Sequence, residues 1–340
     1  MSLKRIMHAQ TVMLLLFTAV VLMTNSGTLR AQTVNWAPLN PPAARCCMGF
    51  AYDSTTSSTV LFGGEVFNAA GIGTYFGDTW IWQSEGWHKL SPANSPSARH
   101  SVEMAYDGAA NNIVLFGGQD STGAYLNDTW TWDGTTWTQQ FPPTSPPARS
   151  TPDSTGMVYD AATQTVVLFG GGNSVGALGD TWTWDGIVKT WTQQNPATSP
   201  WARSAPVAYD AATQTVVLFG GNGSDVADEL NDTWTWNGST WAQQFPTSAP
   251  PARTSASMTF DTLLGTVVLF GGFSGDYGDS LNDTWIWNGT TWKQIHPATI
   301  PHNRYSFGMD YDTVHKAVFM FGGFSSGPAL GDTWVLALAP

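Results

Sequence analysis

The sequence predicts an all-β chain folded as a six-bladed β-propeller with four antiparallel strands per blade. Three observations carry that expectation. A hydrophobic run ending in Gly-Gly recurs six times, at Gly63-Gly64, Gly117-Gly118, Gly170-Gly171, Gly220-Gly221, Gly271-Gly272 and Gly322-Gly323. Ten to 15 residues after each first glycine comes Asp-Thr-Trp, which begins at Asp78, Asp128, Asp180, Asp232, Asp283 and Asp332 and places Trp80, Trp130, Trp182, Trp234, Trp285 and Trp334. Successive copies lie 49 to 54 residues apart, the period at which sheet-forming repeats build propeller blades.

The chain opens with Lys4 and Arg5, an apolar stretch from Val12 to Met23, and small and polar residues up to Ala31. That is the pattern of a secretory signal peptide over residues 1–31, cut after Ala31, and the apolar core is short for a membrane span. Residues 32–340 then form one propeller, expected to be secreted or periplasmic and to act as a monomer. Removing Lys4, Arg5 and Arg30 from the 13 basic residues leaves 10 against 25 acidic ones, or −15. Such a surface repels phosphate backbones, which argues against nucleic acid as a partner.

The sixth unit stops after Trp334 with no fourth strand. Residues 33–38, TVNWAP, match a fourth strand, with Trp36 standing where Trp137 and Trp241 stand in their own repeats. An N-terminal strand at about 33–38 is therefore expected to complete the last blade. That closure removes the open sheet edges that the competing architecture, a solenoid, would leave. The blades run over about 45–91, 99–141, 149–195, 203–245, 253–296, and 304–338 plus 33–38.

Within a unit the first strand follows a Pro-rich turn and an arginine and ends in an aromatic-Asp pair, as in Tyr52-Asp53 or Phe260-Asp261. The Asp suits a turn because its side chain accepts backbone N–H bonds two residues on. The second strand, of the TVVLFGG type, is apolar without alternation and reads as buried on both faces. Glycine ends it because Gly permits positive φ and close approach of another backbone. The third strand alternates tryptophans, and Asp133-Gly134, Asn237-Gly238 and Asn288-Gly289 signal the hairpin to the fourth, which carries Trp87, Trp137, Trp191, Trp241 or Trp292. These aromatics read as core, each contributing on the order of 4–6 kcal/mol at most.

At the arginines the chain resembles the kelch-repeat β-propellers, in the variety with Gly-Gly, Leu-Asn-Asp-x-Trp, Trp and Pro-x-x-Arg. The resemblance covers nearly all of residues 33–338, and only Trp184 to Trp191 keeps the common six-residue gap between the later aromatics. With the signal-peptide pattern supplying export, it implies a module that binds a protein or glycan through one loop-rich face. The alternative it permits is a sugar-active enzyme, either an isomerase of the sialic-acid mutarotase type or a glycoside hydrolase.

Arg45, Arg99, Arg149, Arg203, Arg253 and Arg304 hold one place in every repeat. Up-and-down blades bring that place and the Asp of Asp-Thr-Trp to the same face. Pairing of six arginines with six aspartates is the leading expectation. The other is a guanidinium ring around the channel mouth, able to grip a carboxylate, a use the family resemblance implies for arginines at such positions. His100, Trp201, His302 and Tyr305 break the repeat near an arginine and complete the candidate ligand-binding set. No catalytic residue and no metal set is read from the sequence. The copper oxidases of the resembled family need a Tyr-linked Cys and clustered His, whereas His88, His100, His296, His302 and His315 show no ligand-like spacing. Calcium on the acidic loops 225–232 and 276–283 is the one cofactor considered. The adjacent Cys46 and Cys47 read as buried thiols ahead of a vicinal disulfide or an intermolecular link, since neighbouring strand residues point to opposite faces.

Overall fold

The computed structural model describes residues 30–32, 41–68, 70–84, 86–151, 156–223, 229–275, 279–325 and 327–337. Six four-stranded antiparallel sheets, each a meander, make up the ring, with no helix among the described residues. The first blade consists of Gly49–Asp53, Ser58–Phe62, Thr79–Gln83 and Gly86–Leu90. The sixth consists of Gly308–Asp312, Ala317–Phe321, Thr333–Ala337 and, from the other end of the chain, Arg30–Gln32.

The closing strand thus lies a few residues before the expected segment. Arg30 pairs with Ala337 and Gln32 with Val335, while residues 33–38, with Trp36, lie outside the described residues. Cleavage after Ala31 would take two of the three residues of this strand with it.

The second strand of each blade is buried along nearly its whole length because neighbouring blades cover both its faces. One apolar cluster shows the arrangement: Val60 and Phe62 of the first blade pack with Met104, Leu115, Trp132 and Trp137 of the second. Trp137 packs at a tilt on Trp132 of its own blade, with ring centroids 5.2 Å apart, and edge-on against Phe62 of the preceding blade at 5.4 Å. Its Nε1 donates to Thr79 Oγ1 of that preceding blade at 2.9 Å. Trp191, Trp241 and Trp292 repeat the contact on Thr129, Thr181 and Thr233, and Trp87 makes it on Thr333 across the junction of first and last blades. The aromatic payload and the indole donor are used together, as buried tryptophans require.

The Gly-Gly pair has a second task, visible only in the ring. The N–H of the second glycine donates to the arginine carbonyl of the next blade, from Gly64 to Arg99 at 2.9 Å and around to Gly323 and Arg45, also at 2.9 Å. Gly170 shows why nothing larger fits: its φ is +68°, and a Cβ there would sit 2.1 Å from the Arg203 carbonyl oxygen.

The turn aspartates behave as their chemistry dictates. Asp53 Oδ1 accepts Thr55 N–H at 2.9 Å, and Asp312 Oδ1 accepts Val314 N–H at 2.8 Å. In the first blade only two residues separate Gln83 from its partner Gly86, but the hairpins that follow Trp132, Trp236 and Trp287 are wider than a two-residue turn. Trp132 faces Trp137 directly, so Asp133 to Thr136 form a four-residue loop, in which Asp133 Oδ1 takes the N–H groups of Thr135 and Thr136 and Gly134 holds φ +93°.

Candidate functional site

All six arginines are buried and turn into their own blades. Arg253 Nη1 donates to Asp283 Oδ1 at 2.6 Å and to the Gly271 carbonyl at 2.9 Å, Nη2 to Asp283 Oδ2 at 2.8 Å, and Nε to the Pro251 carbonyl at 3.1 Å. Arg45 pairs in the same way with Asp78, Arg99 with Asp128, Arg149 with Asp180, Arg203 with Asp232 and Arg304 with Asp332. The Trp of each Asp-Thr-Trp adds its Nε1–H to the same carboxylate, at 2.7 Å for Trp285 on Asp283. Burial alone would push these carboxyls up. The Arg hydrogen bonds and charge and the Trp donor outweigh it and hold Asp78, Asp128, Asp180, Asp283 and Asp332 below the usual carboxylate range. The guanidinium ring around the mouth is not formed, because these donors are spent inside the blades.

What the mouth does carry is a ring of variable pairs. The residue after each arginine bridges, as an antiparallel pair, to the residue after the Gly-Gly of the same blade. Six pairs result: Cys46 with Glu65, His100 with Gln119, Ser150 with Gly172, Ser204 with Asn222, Thr254 with Phe273, and Tyr305 with Phe324. The same backbone bridge recurs in all six blades, while the side chains on it differ from blade to blade. One position further on, N–H to C=O bonds run from blade to blade: Ser306 to Ser255, Cys47 to Ser306, Ser101 to Cys47 and Thr151 to Ser101.

Two clusters stand out on this ring. The first is aromatic and spans the fifth, sixth and first blades. Phe273 packs edge-on against Tyr305 at 5.9 Å, Tyr305 against Phe324 at 5.8 Å, and Phe324 stacks on Phe67 at 6.2 Å. Phe67 is 44% exposed at the end of the short ribbon Glu65–Phe67, which pairs with Gly73–Tyr75. The second cluster joins the first and second blades: Cys46, Cys47, Glu65 and His100, walled by Tyr75 at 5.2 Å from the His100 ring. Cys46 and Cys47 are free thiols, the first buried and the second half-buried. Burial pushes the Cys46 thiol up, pushes Glu65 up to about 7 and lowers His100. At neutral pH the 3.2 Å contact between His100 Nδ1 and Glu65 Oε1 is therefore closer to a neutral pair than to a salt bridge.

The other expected site residues lie apart from these clusters. Trp201 is 66% exposed on the connection into the fourth blade, and His302 is exposed on the connection into the sixth. Of the acidic loops considered for calcium, residues 224–228 and 276–278 lie outside the described residues. Glu229 accepts Gly275 N–H at 3.2 Å, and Asp232 and Asp283 are held by arginine.

Behind the mouth runs an axial cavity of about 490 Å3. Met104, Met157, Met258 and Met309 line it at one level and Tyr106, Tyr159, Tyr209 and Tyr311 near the opposite end. Asp310 replaces the alanine, valine or threonine of the other inner strands on its wall, and accepts the N–H groups of Tyr52 and Tyr311, both at 2.7 Å.

A further buried acid sets a pH dependence. Glu103 is 1% exposed, accepts the Thr151 hydroxyl through Oε1 and, among the described residues, has no hydrogen-bond partner for Oε2. Burial pushes it up to about 8, against the Gly156 and Met157 N–H groups and the Arg149 charge. An acid whose folded value is raised contributes stability that is present below its unfolded value and lost as pH rises through the folded one. The arginine-held aspartates act in the opposite sense, losing their contribution as pH falls through their lowered values. Thermal stability is therefore expected to peak near pH 5 and to decline toward pH 8, by about 1.4 kcal/mol per pH unit for Glu103 alone. Melting curves of Glu103→Gln should show a flattened alkaline limb; an unchanged slope would locate the decline elsewhere.

Glu65 is a candidate that the polar second-to-third connections offer in the sequence, whereas Phe273 and Phe324, at the same place after Gly-Gly, carry no polar signal. Phe273, Phe324 and Glu65 sit beside an invariant motif of the repeat and differ from copy to copy, but their importance depends on which residue bridges to them.

Comparison with known proteins agrees with this architecture. The solved structure described as "Structure of YjhT" superposes with a TM-score of 0.64 over 88% of this chain and 96% of its own, at 14% identity, a likeness of fold alone. No curated protein matches the chain. The family model of the KLHDC2/KLHL20/DRC7 Kelch-repeats domain matches residues 49–244, more than half of the sequence. Its repeats, its arginine-aspartate-tryptophan network and this match together place the chain in the kelch-repeat family of β-propellers.

Proposed function

We propose that the protein is an exported binding module that presents the variable-pair face of its propeller to a protein or glycan partner. The observation that carries this reading is the division of labour at the mouth. Invariant Arg, Asp, Trp and Gly are consumed in holding the blades together, and the side chains in front of them are free to vary without disturbing the fold. Phe67, Ile72, Val175 and Trp201 are exposed on connections that the meander places on this one face. Together with the Phe273–Tyr305–Phe324 run, Phe67 and Trp201 supply rigid aromatic anchors of the kind that dominate binding energy. The opposite face, built from the tight turns, offers Ile187, Val188, Leu263 and Val314. Export rests on the N-terminal segment, Lys4 and Arg5 followed by the apolar stretch to Met23.

A glycan array and a peptide-display screen on the full chain test the proposal. Phe67→Ala and Tyr305→Ala are expected to weaken any hit at least tenfold, about 1.4 kcal/mol or more, and Val314→Ala on the far face to leave it unchanged. Equal sensitivity of the two faces would overturn the assignment. The raised Glu65 beside His100 favours a second reading, a sugar-active enzyme working from the same face. Turnover of a bound sugar, followed by NMR, would select it.

A further inference from the structure

We propose that Cys46, Cys47, Glu65 and His100 form a binding site for a thiophilic divalent cation of the zinc class. The two Sγ atoms and a carboxylate oxygen of Glu65 lie within 4.8 Å of one another, and His100 Nδ1 stands 3.2 Å from Glu65 Oε1. Zinc bonds of about 2.3 Å to sulfur and 2.0–2.2 Å to nitrogen or oxygen set tetrahedral ligand separations of roughly 3.3–3.8 Å. The group is therefore near the required size. One adjustment is the Sγ to Sγ contact, now 2.6 Å, which must open by roughly 1 Å to match two zinc–sulfur bonds.

The backbone around these groups is held from several directions. Cys46 exchanges two hydrogen bonds with Glu65, each 3.0 Å long. Cys47 donates its N–H to the Ser306 carbonyl at 3.0 Å and accepts Ser101 N–H at 2.6 Å, tying it to the blades on either side. Fixed ligand positions of this kind reduce the ordering cost of capturing an ion. Two sulfurs, an imidazole and one carboxylate select a borderline-soft cation over calcium or magnesium, which demand oxygen. Binding releases the two thiol protons to solvent, leaves His100 as a neutral donor, and displaces from Nδ1 the Ser101 hydroxyl now 2.9 Å away.

The other blades are the internal comparison. At the positions of Cys46 and Cys47 they carry Ser150 and Thr151, Ser204 and Ala205, Thr254 and Ser255, and Tyr305 and Ser306. Among the described residues at these ring positions, metal-ligating side chains thus coincide where the first and second blades meet. An ion there would join the ribbon that begins at Glu65 to the strand that begins at Arg99.

Titration of the reduced, metal-free full chain with Co2+ tests the site. One equivalent is expected to bind, with a thiolate-to-cobalt charge-transfer band that Zn2+ displaces. The double variant Cys46→Ser/Cys47→Ser should abolish the band, and because serine already stands at these places in other blades it should fold, as its melting curve without metal will check. Glu65→Gln and His100→Ala should each weaken Zn2+ binding at least tenfold. Absence of the band overturns the proposal, as does undiminished Zn2+ affinity in both Glu65→Gln and His100→Ala. So does loss of two hydrogens by mass in the presence of Zn2+, which would mark a Cys46 to Cys47 disulfide in place of a metal site.

Discussion

Arg253→Ala is expected to destabilise the protein by about 3–5 kcal/mol, enough to threaten folding at physiological temperature. The guanidinium is fully buried, and its removal strands Asp283 with only Trp285 Nε1–H as a side-chain partner while freeing the Gly271 carbonyl. Most of the loss comes from the uncompensated carboxylate. The double variant Arg253→Ala/Asp283→Ala should therefore recover part of it, a coupling that urea denaturation of the two singles and the double measures directly. Undiminished melting of Arg253→Ala, with loss of ligand binding, would restore the arginines to the mouth as recognition groups.

Trp241→Ala should cost a similar amount, about 3–5 kcal/mol. The side chain is fully buried, packs at a tilt on Trp236 at 5.5 Å and edge-on against Phe169 of the preceding blade at 5.2 Å, and donates to Thr181 Oγ1 at 3.0 Å. Its removal opens a cavity at a blade junction and leaves a buried threonine hydroxyl without its donor. Trp241→Phe separates these contributions: most packing stays and the hydrogen bond goes, so a loss of about 1–2 kcal/mol is expected. Thermal unfolding of both variants checks the ratio; equal losses would mean that the hydrogen bond, and not the packing, holds the junction.

Much of this molecule is local chemistry repeated, and local chemistry can be read in one dimension. Asp53 and its counterparts cap turns with their own side chains, and β-branched runs such as Thr266–Phe270 form strands wherever both faces are covered. The partner of each arginine was also legible, because the topology of a four-stranded meander places Arg253 and Asp283 at one end of a blade. Other features were not. The four-residue hairpin loops follow from which tryptophans face each other, and the closing strand at Arg30–Gln32 follows from pairing across the whole length of the chain. The axial cavity has no sequence signature, since its wall draws two or three residues from each of six inner strands.

The sequence by itself determined the repeat, the number of blades and the residues that lock each blade to the next, because those contacts are made by residues a fixed distance apart in every copy. Only the tertiary structure decided which irregular residues meet. Glu65 and His100 are 35 positions apart and spaced like no known ligand set, yet they touch because one ends the Gly-Gly turn of the first blade and the other follows the arginine of the second. Phe67 and Phe324 stand at opposite ends of the chain and stack because the ring closes. Closure turns sequence distance into adjacency, and the variable face is assembled from what it brings together.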